Sequence, residues 1–193
     1  MHVAAGVDDG MKVLVAYASK YGATKGIAEF IGEKLREHRV DADVQEASKV
    51  KDVRTYDAFV IGSALYMFHW IKDAKKFVLR NRSELAKRPV WMFSSGPLGN
   101  KEKDEKGRDL REASGPKELE ELRNAARPRD HRVFFGALDS SRLTGLIGFG
   151  YRTAAKSTSA RDVMPEGDFR NWKEIESWAT GIAEALVSST TSG

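Results

Sequence analysis

A chain of 193 residues, 41% hydrophobic and 31% charged, suits one domain with a sizeable core and is too short for two comfortable ones. It contains no cysteine, which excludes disulfides, iron–sulfur clusters and thiol redox chemistry, and no apolar run near the ~20 residues that cross a bilayer. Its net charge of +4 steers acidic partners or an anionic membrane face without requiring nucleic acid, for which there is no basic helix with interleaved aromatics and no finger.

Residues 1–10 read as a flexible extension. They lack the apolar core of a signal peptide and carry Asp8 and Asp9, and Met11 is an alternative start. The apolar run Lys12–Tyr17 reads as a buried first strand. The loop Ala18–Thr24 follows, then a helix from about Thr24 to Glu37 with Ile27, Phe30, Ile31 and Leu35 on one face. Backbone N–H groups in such a loop and at a helix N-terminus lack partners and suit an anion. Ser19 and Thr24 add hydroxyls, and Gly22 permits close approach of the backbone. This arrangement suits a nucleotide or flavin phosphate; a plain turn with Thr24 as N-cap is the other reading. Neither G-x-x-x-x-G-K-[ST] nor G-x-G-x-x-G follows the first strand, which argues against a nucleoside triphosphatase loop and a dinucleotide fold.

Further strands are expected at Asp41–Gln45, Ala58–Gly62, Val90–Ser94 and Arg132–Ala137. A helix is expected from Ile71 to Arg80, with Ala74, Phe77 and Val78 inward. Another is expected from Asn171 to Val187, where Asn171 and Glu174 have capping-box spacing and Ile175, Trp178, Ile182 and Leu186 form a stripe. The alternation predicts an α/β fold: a three-layer, doubly wound, parallel five-stranded sheet of order 2-1-3-4-5. The loops after the first and third strands then face one crevice at the carboxyl ends of the strands. The domain spans 11–188, with a charged insertion at 97–128, a variable segment at 140–165 and a tail at 189–193. Within the insertion, Gly99–Arg111 is expected to be a solvated loop or a lid. Pro116–Arg127 is expected to be a short helix outside the core, carrying Leu119 and Leu122. The segment Ser140–Lys156 either covers the sheet as a core helix or forms a basic, apolar surface that meets lipid or a lipid-soluble substrate. His2, His38, His69 and His131 are scattered and form no metal-ligand pattern.

The run Ser19-Lys-Tyr-Gly-Ala-Thr24 fits the phosphate-loop pattern of flavodoxin-like FMN proteins, and the chain resembles that family over nearly its whole length after Met11. Tyr56-Asp-Ala-Phe-Val-Ile-Gly-Ser-Ala-Leu65, His69, Phe77-Val78, Phe135-Gly-Ala-Leu138 and Asn171-Trp172 resemble the branch containing menaquinone-dependent protoporphyrinogen IX dehydrogenase. The resemblance implies FMN rather than FAD as cofactor; the scattered histidines lead to no metal being expected. It implies that Ser19, Lys20, Tyr21, Gly22, Ala23 and Thr24 hold the phosphate. Ser63, Ala64, Leu65 and Tyr66 would lie along one side of the flavin ring. Ser95, Gly96, Pro97 and Leu98 would approach from the other. Tyr66 is either a stacking partner of the ring or an exposed loop aromatic. His69 matches a family histidine, with a substrate-orienting, proton-donating or packing role left open; no catalytic residue is singled out.

The activity implied is an oxidoreductase in porphyrin biosynthesis, passing electrons from a reduced small molecule through FMN to a quinone. The basic balance favours this over a flavodoxin-like electron carrier that serves a redox partner protein, and over a flavin-free interaction module. A cytoplasmic location is expected, with peripheral contact at the inner membrane face and a homodimer both left open.

Overall fold

Every residue from Val13 to Ala18 is buried, because the first strand lies in the middle of a parallel sheet with both faces covered. The computed structural model describes residues 10–96, 98–99, 103, 106–145, 153 and 165–190. Strand β1 (Lys12–Ala18) pairs with β2 (Asp41–Glu46) on one side and β3 (Ala58–Tyr66) on the other. β3 pairs onward with β5 (Val90–Ser95), and β5 with β6 (Asp130–Phe134). All four pairings are parallel, so the order β2-β1-β3-β5-β6 is the expected doubly wound 2-1-3-4-5 sheet. The extra label belongs to β4 (His69–Trp70), which turns back antiparallel on the end of β3.

Alternation along the strands feeds two cores. Val13, Val15, Phe93 and Phe134 face α1 (Ala23–Glu37) and the final helix α6 (Trp172–Thr190), meeting Ile27, Ile31, Ile175, Ile182 and Leu186. Leu14, Phe59, Ile61 and Met92 face α2 (Lys72–Arg80) and α3 (Arg82–Leu85), meeting Phe77, Val78 and Leu85. At Gly62 the ring of Phe93 lies against the strand backbone, and a Cβ there would fall 2.0 Å from its Cζ. Asn171 caps α6 as its spacing predicts, its Oδ1 accepting from the Glu174 N–H at 3.2 Å.

Three expectations change. The third strand continues four residues past Gly62, to Tyr66, because β4 gives its end a partner. The fifth strand stops at Phe134, and Ala137–Leu138 (β7) instead pairs antiparallel with Gly167–Asp168 (β8) in a separate ribbon. The charged stretch before β6 forms α4 (Leu110–Ala113) and α5 (Leu119–Ala126). Leu122 and Ala126 are fully buried beside Phe77, so α5 belongs to the core rather than lying outside it. Of Ser140–Lys156, the described part is a single 3₁₀ turn at Ser140–Arg142, buried Leu143, and residues 144, 145 and 153. The remainder lies outside the described residues. Among the described residues no helix is long and apolar enough to cross a membrane.

Candidate functional site

The loop between β1 and α1 is built around a left-handed Gly22 with φ of +92°. Gly22, not Thr24, is the N-cap of α1, and no side chain caps the helix. The Gly22 N–H donates to Ser19 Oγ at 3.1 Å, which closes the loop. Thr24 therefore sits one residue inside the helix, in the first turn, where N–H groups have no intrahelical partner. It is fully buried, and among the described residues its Oγ1 is the one buried side-chain polar atom without a hydrogen-bond partner. An orphaned buried hydroxyl costs ~1–3 kcal/mol unless something bonds to it. A helix N-terminus favours an anion as that partner.

Two arginines from the β7–β8 side brace the outer face of this loop. Arg142 Nη1 donates to the Tyr21 carbonyl at 3.4 Å while its Nε donates to Asp139 at 3.1 Å. Arg170 donates to the Ala23 carbonyl at 3.2 Å, pairs with Asp168 at 2.6 Å and lies 4.4 Å from the centre of the Trp172 ring. A Cβ on Gly22 would come within 2.7 Å of Arg142 Nη1, and one on Gly26 within 2.7 Å of Arg170 Nη1. Both positions therefore admit the guanidinium groups because they lack a side chain.

A cavity of about 290 Å³ opens beside the loop at the carboxyl ends of the strands. Of the residues singled out in the sequence, Ser19, Tyr21, Ala23, Thr24, Ala64, Leu65, Tyr66, Ser95, Gly96 and Leu98 line it. Gly22 lines a neighbouring cavity of about 590 Å³ on the Arg142 and Arg170 side. Lys20 is exposed, its Nζ 5.3 Å from the centre of the Tyr66 ring. Ser63 is turned away: its Oγ donates to the Ala64 carbonyl and accepts from the Ile71 N–H, both at 2.9 Å, joining β3 to the start of α2. Pro97 lies outside the described residues. Met67, Gly136, Ala137 and Leu138 also line the cavity without having been singled out as site residues, and Leu143, from the segment expected to cover the sheet or meet a lipid-soluble substrate, joins them. The signal for Gly136 to Leu138 was their position just past the fifth strand, beside the loop after the fourth.

Among the described residues the cavity wall carries no charged side chain, so the basic excess of the chain has no counterpart in that part of it. Leu65, Leu98, Leu138 and Leu143 make it apolar. Tyr66, 36% exposed, stands at the mouth with its ring edge-on to Tyr21 at 6.3 Å. Burial, and secondarily the nearby Tyr21, push the Tyr66 phenol up to about 12, so it stays protonated and can donate a hydrogen bond at neutral pH. Gly96 passes Leu65 so closely that a Cβ would lie 2.8 Å from Leu65 Cδ1.

Behind the wall, Trp70 Nε1 donates to Ser94 Oγ at 2.8 Å, and Ser94 Oγ lies 2.9 Å from His131 Nε2. Indole only donates, so Ser94 Oγ accepts from Trp70 and meets the neutral His131 ring through either its own proton or its second lone pair. Burial, and secondarily the Arg123 charge, depress the His131 pKa to about 4; Asp130 opposes them. The unfolded chain, with an ordinary histidine, binds more protons than the folded one between about pH 6.5 and 4. Stability is therefore complete above that window and falls through it on acidification, by up to about 3 kcal/mol. Urea unfolding across the window measures this. His131→Asn should flatten the curve, and an unchanged pH slope would show that other groups carry it.

Taken together, an apolar crevice at the switch point of a doubly wound sheet, next to an anion-ready loop, defines a flavin- or nucleotide-phosphate-binding α/β protein. The flavodoxin domain profile matches residues 14–149, so the chain belongs to the flavodoxin domain family. It is 24% identical over 176 residues to the protoporphyrinogen IX dehydrogenase [quinone] of Escherichia coli, covering 90% of this chain and 95% of the relative. Among solved structures it resembles a flavodoxin from Pseudomonas aeruginosa, at 15% identity, TM-score 0.56, and coverage of 91% and 99% of the two chains. It also resembles the flavodiiron core from Synechocystis, at 16% identity, TM-score 0.60, and coverage of 94% and 37%. At these identities the structural likenesses establish the fold alone. The cofactor of the family is FMN, and the chain is an FMN-binding redox protein. The residues fit it: the partnerless Thr24 Oγ1 suits the phosphate, and the apolar wall suits the ring.

Proposed function

We propose that the protein is an FMN-dependent oxidoreductase that takes electrons from a reduced, flat, hydrophobic small molecule of the porphyrinogen type and passes them to a quinone. The observation that carries this reading is the apolar rim of the crevice, where Tyr66, Met67 and Phe68 are exposed. An electron carrier steers its protein partners with a strongly charged face. An exposed apolar rim beside the wall that the flavin ring would cover favours instead a hydrophobic reactant that leaves water. The E. coli relative, matched over nearly its whole length, supports the same direction.

Bound FMN supplies the electron-transfer chemistry. The chain's own residues bind and orient. Ser19, Thr24 and the α1 N-terminus hold the phosphate; Leu65 and Tyr66 border the ring on one side, with Gly96 and Leu98 on the other. The protonated Tyr66 phenol sits where it can donate to a reactant oxygen. The test is anaerobic: the FMN-loaded protein is mixed with protoporphyrinogen IX, and the flavin absorbance is followed. Bleaching by this donor and recovery on adding menadione are expected. Bleaching only with a reductase protein, with no recovery on adding menadione, would favour the carrier.

A further inference from the structure

The turn joining β3 to β4 spends stability to display apolar side chains. Met67 is 85% exposed and Phe68 50%, and together with Tyr66 they are three of the four large hydrophobic residues exposed among those described. Both central residues have positive φ, +52° and +65°. A two-residue hairpin needs this conformation, and Asn-Gly adopts it at little cost; Met-Phe does not. The tip is nonetheless held firmly. The Lys117 N–H donates to the Phe68 carbonyl at 2.9 Å. Glu118 takes the Trp70 N–H on one carboxylate oxygen and pairs with His69 Nδ1 on the other, each at 3.1 Å. Trp70 is buried, so the base of the hairpin is fixed while its tip is not covered.

We propose that this tip is a wedge that docks the mouth of the crevice on an anionic phospholipid surface. The charges around it match such a surface. Lys20, Lys72 and Lys117 are all exposed, and Lys76 adds a fourth on the next turn of α2. Of the acids beside these lysines, Glu118 is bound to the hairpin, Glu121 pairs with Lys75 at 2.7 Å and Glu120 with Arg123 at 3.3 Å, while Asp73 is exposed between Lys72 and Lys76. Apolar side chains seated in the acyl boundary, with lysines reaching the headgroups, make an interfacial anchor. The size of the patch also favours lipid. A stable protein interface buries about 800 Å² on each partner, far more than two side chains at a hairpin tip present. Docked this way, the crevice faces the layer in which a lipid-soluble quinone is dissolved. That consequence rests on the proposed function; the docking itself does not.

The experiment uses the full FMN-loaded chain and flotation with vesicles of phosphatidylcholine and phosphatidylglycerol in a two-to-one ratio, against pure phosphatidylcholine. Binding to the mixed vesicles is expected, weakened by salt and lowered about tenfold or more by Phe68→Glu. Phe68 does not line the cavity, so FMN uptake by this variant reports that it is folded. Phe68→Trp gives an independent reading: its added fluorescence should shift to the blue on vesicles and be quenched by lipids brominated on the acyl chains. Wild-type protein that stays off the mixed vesicles, equal flotation of Phe68→Glu, or an unquenched Phe68→Trp overturns the proposal. So does a doubled mass in light scattering that Phe68→Glu returns to a single chain, which would assign the tip to a second copy. Reduction of menadione in the absence of vesicles separates the two readings. Turnover without vesicle binding removes the wedge alone, and vesicle binding without turnover removes the quinone reaction alone.

Discussion

Thr24→Val should lower FMN affinity about tenfold to a hundredfold while leaving the empty fold as stable as before, or more so. The two halves have one cause. The Thr24 hydroxyl is buried and partnerless in the first turn of α1, so it costs stability until a phosphate oxygen accepts from it. Valine keeps the shape and removes the orphan. Affinity for riboflavin, which has no phosphate, should stay the same. Flavin fluorescence quenching against FMN and riboflavin, with thermal melts of the empty protein, reads all three quantities. Unchanged FMN affinity would remove the phosphate-loop assignment. Gly22→Val should damage the same loop by another route. It forces a β-branched residue to φ of +92° and sets a Cβ 2.7 Å from Arg142 Nη1. Its loss should extend to the loop's ordering in the empty protein.

Gly62→Ala should lower stability by about 3 kcal/mol, a Tm decrease of roughly 6–12 °C for a domain of this size. The added methyl would lie 2.0 to 2.6 Å from three atoms of the Phe93 ring. Neither side yields easily. β3 is held between β1 and β5 by parallel ladders on both edges. The Phe93 ring is fully buried, edge-on to Trp178 at 6.1 Å and tilted against Phe134 at 6.0 Å. Phe93→Leu in the Gly62→Ala background should recover part of the loss, since it removes the ring that the methyl meets. A wild-type melting temperature for Gly62→Ala would show that the ring swings aside at no cost.

The strands were legible in the sequence because a parallel sheet covered on both faces demands unbroken apolar runs. Lys12–Tyr17 and Val90–Ser94 have that form. The final helix was legible from its stripe and from Asn171, whose capping is a local matter between residues three apart. Pro116–Arg127 was misplaced outside the core because eight helical residues with few apolar side chains look the same on a surface or in an interior. Only the face that α2 offers Leu122 and Ala126 tells the two apart.

The candidate site divides in the same way. The loop from Ser19 to Thr24 announces itself, since hydroxyls and a glycine between a strand and a helix are a local pattern. That Gly22 rather than Thr24 caps the helix, and that Ser63 turns its hydroxyl to Ile71, depend on backbone directions that the pattern does not carry. Arg142 and Arg170 reach the loop from more than 120 residues away, across a ribbon that forms only when β7 meets β8. The Met67–Phe68 turn opposes its own local preference, and the hydrogen bonds that Lys117 donates to it and Glu118 accepts from it hold it in place. Composition and periodicity were enough for the layers, the strand order and the position of the loop between β1 and α1, because these follow from burial and nearest-neighbour geometry. The lining of the crevice and the presentation of its rim were decided by tertiary contacts, because they depend on which distant side chains arrive to satisfy, or leave open, particular polar groups.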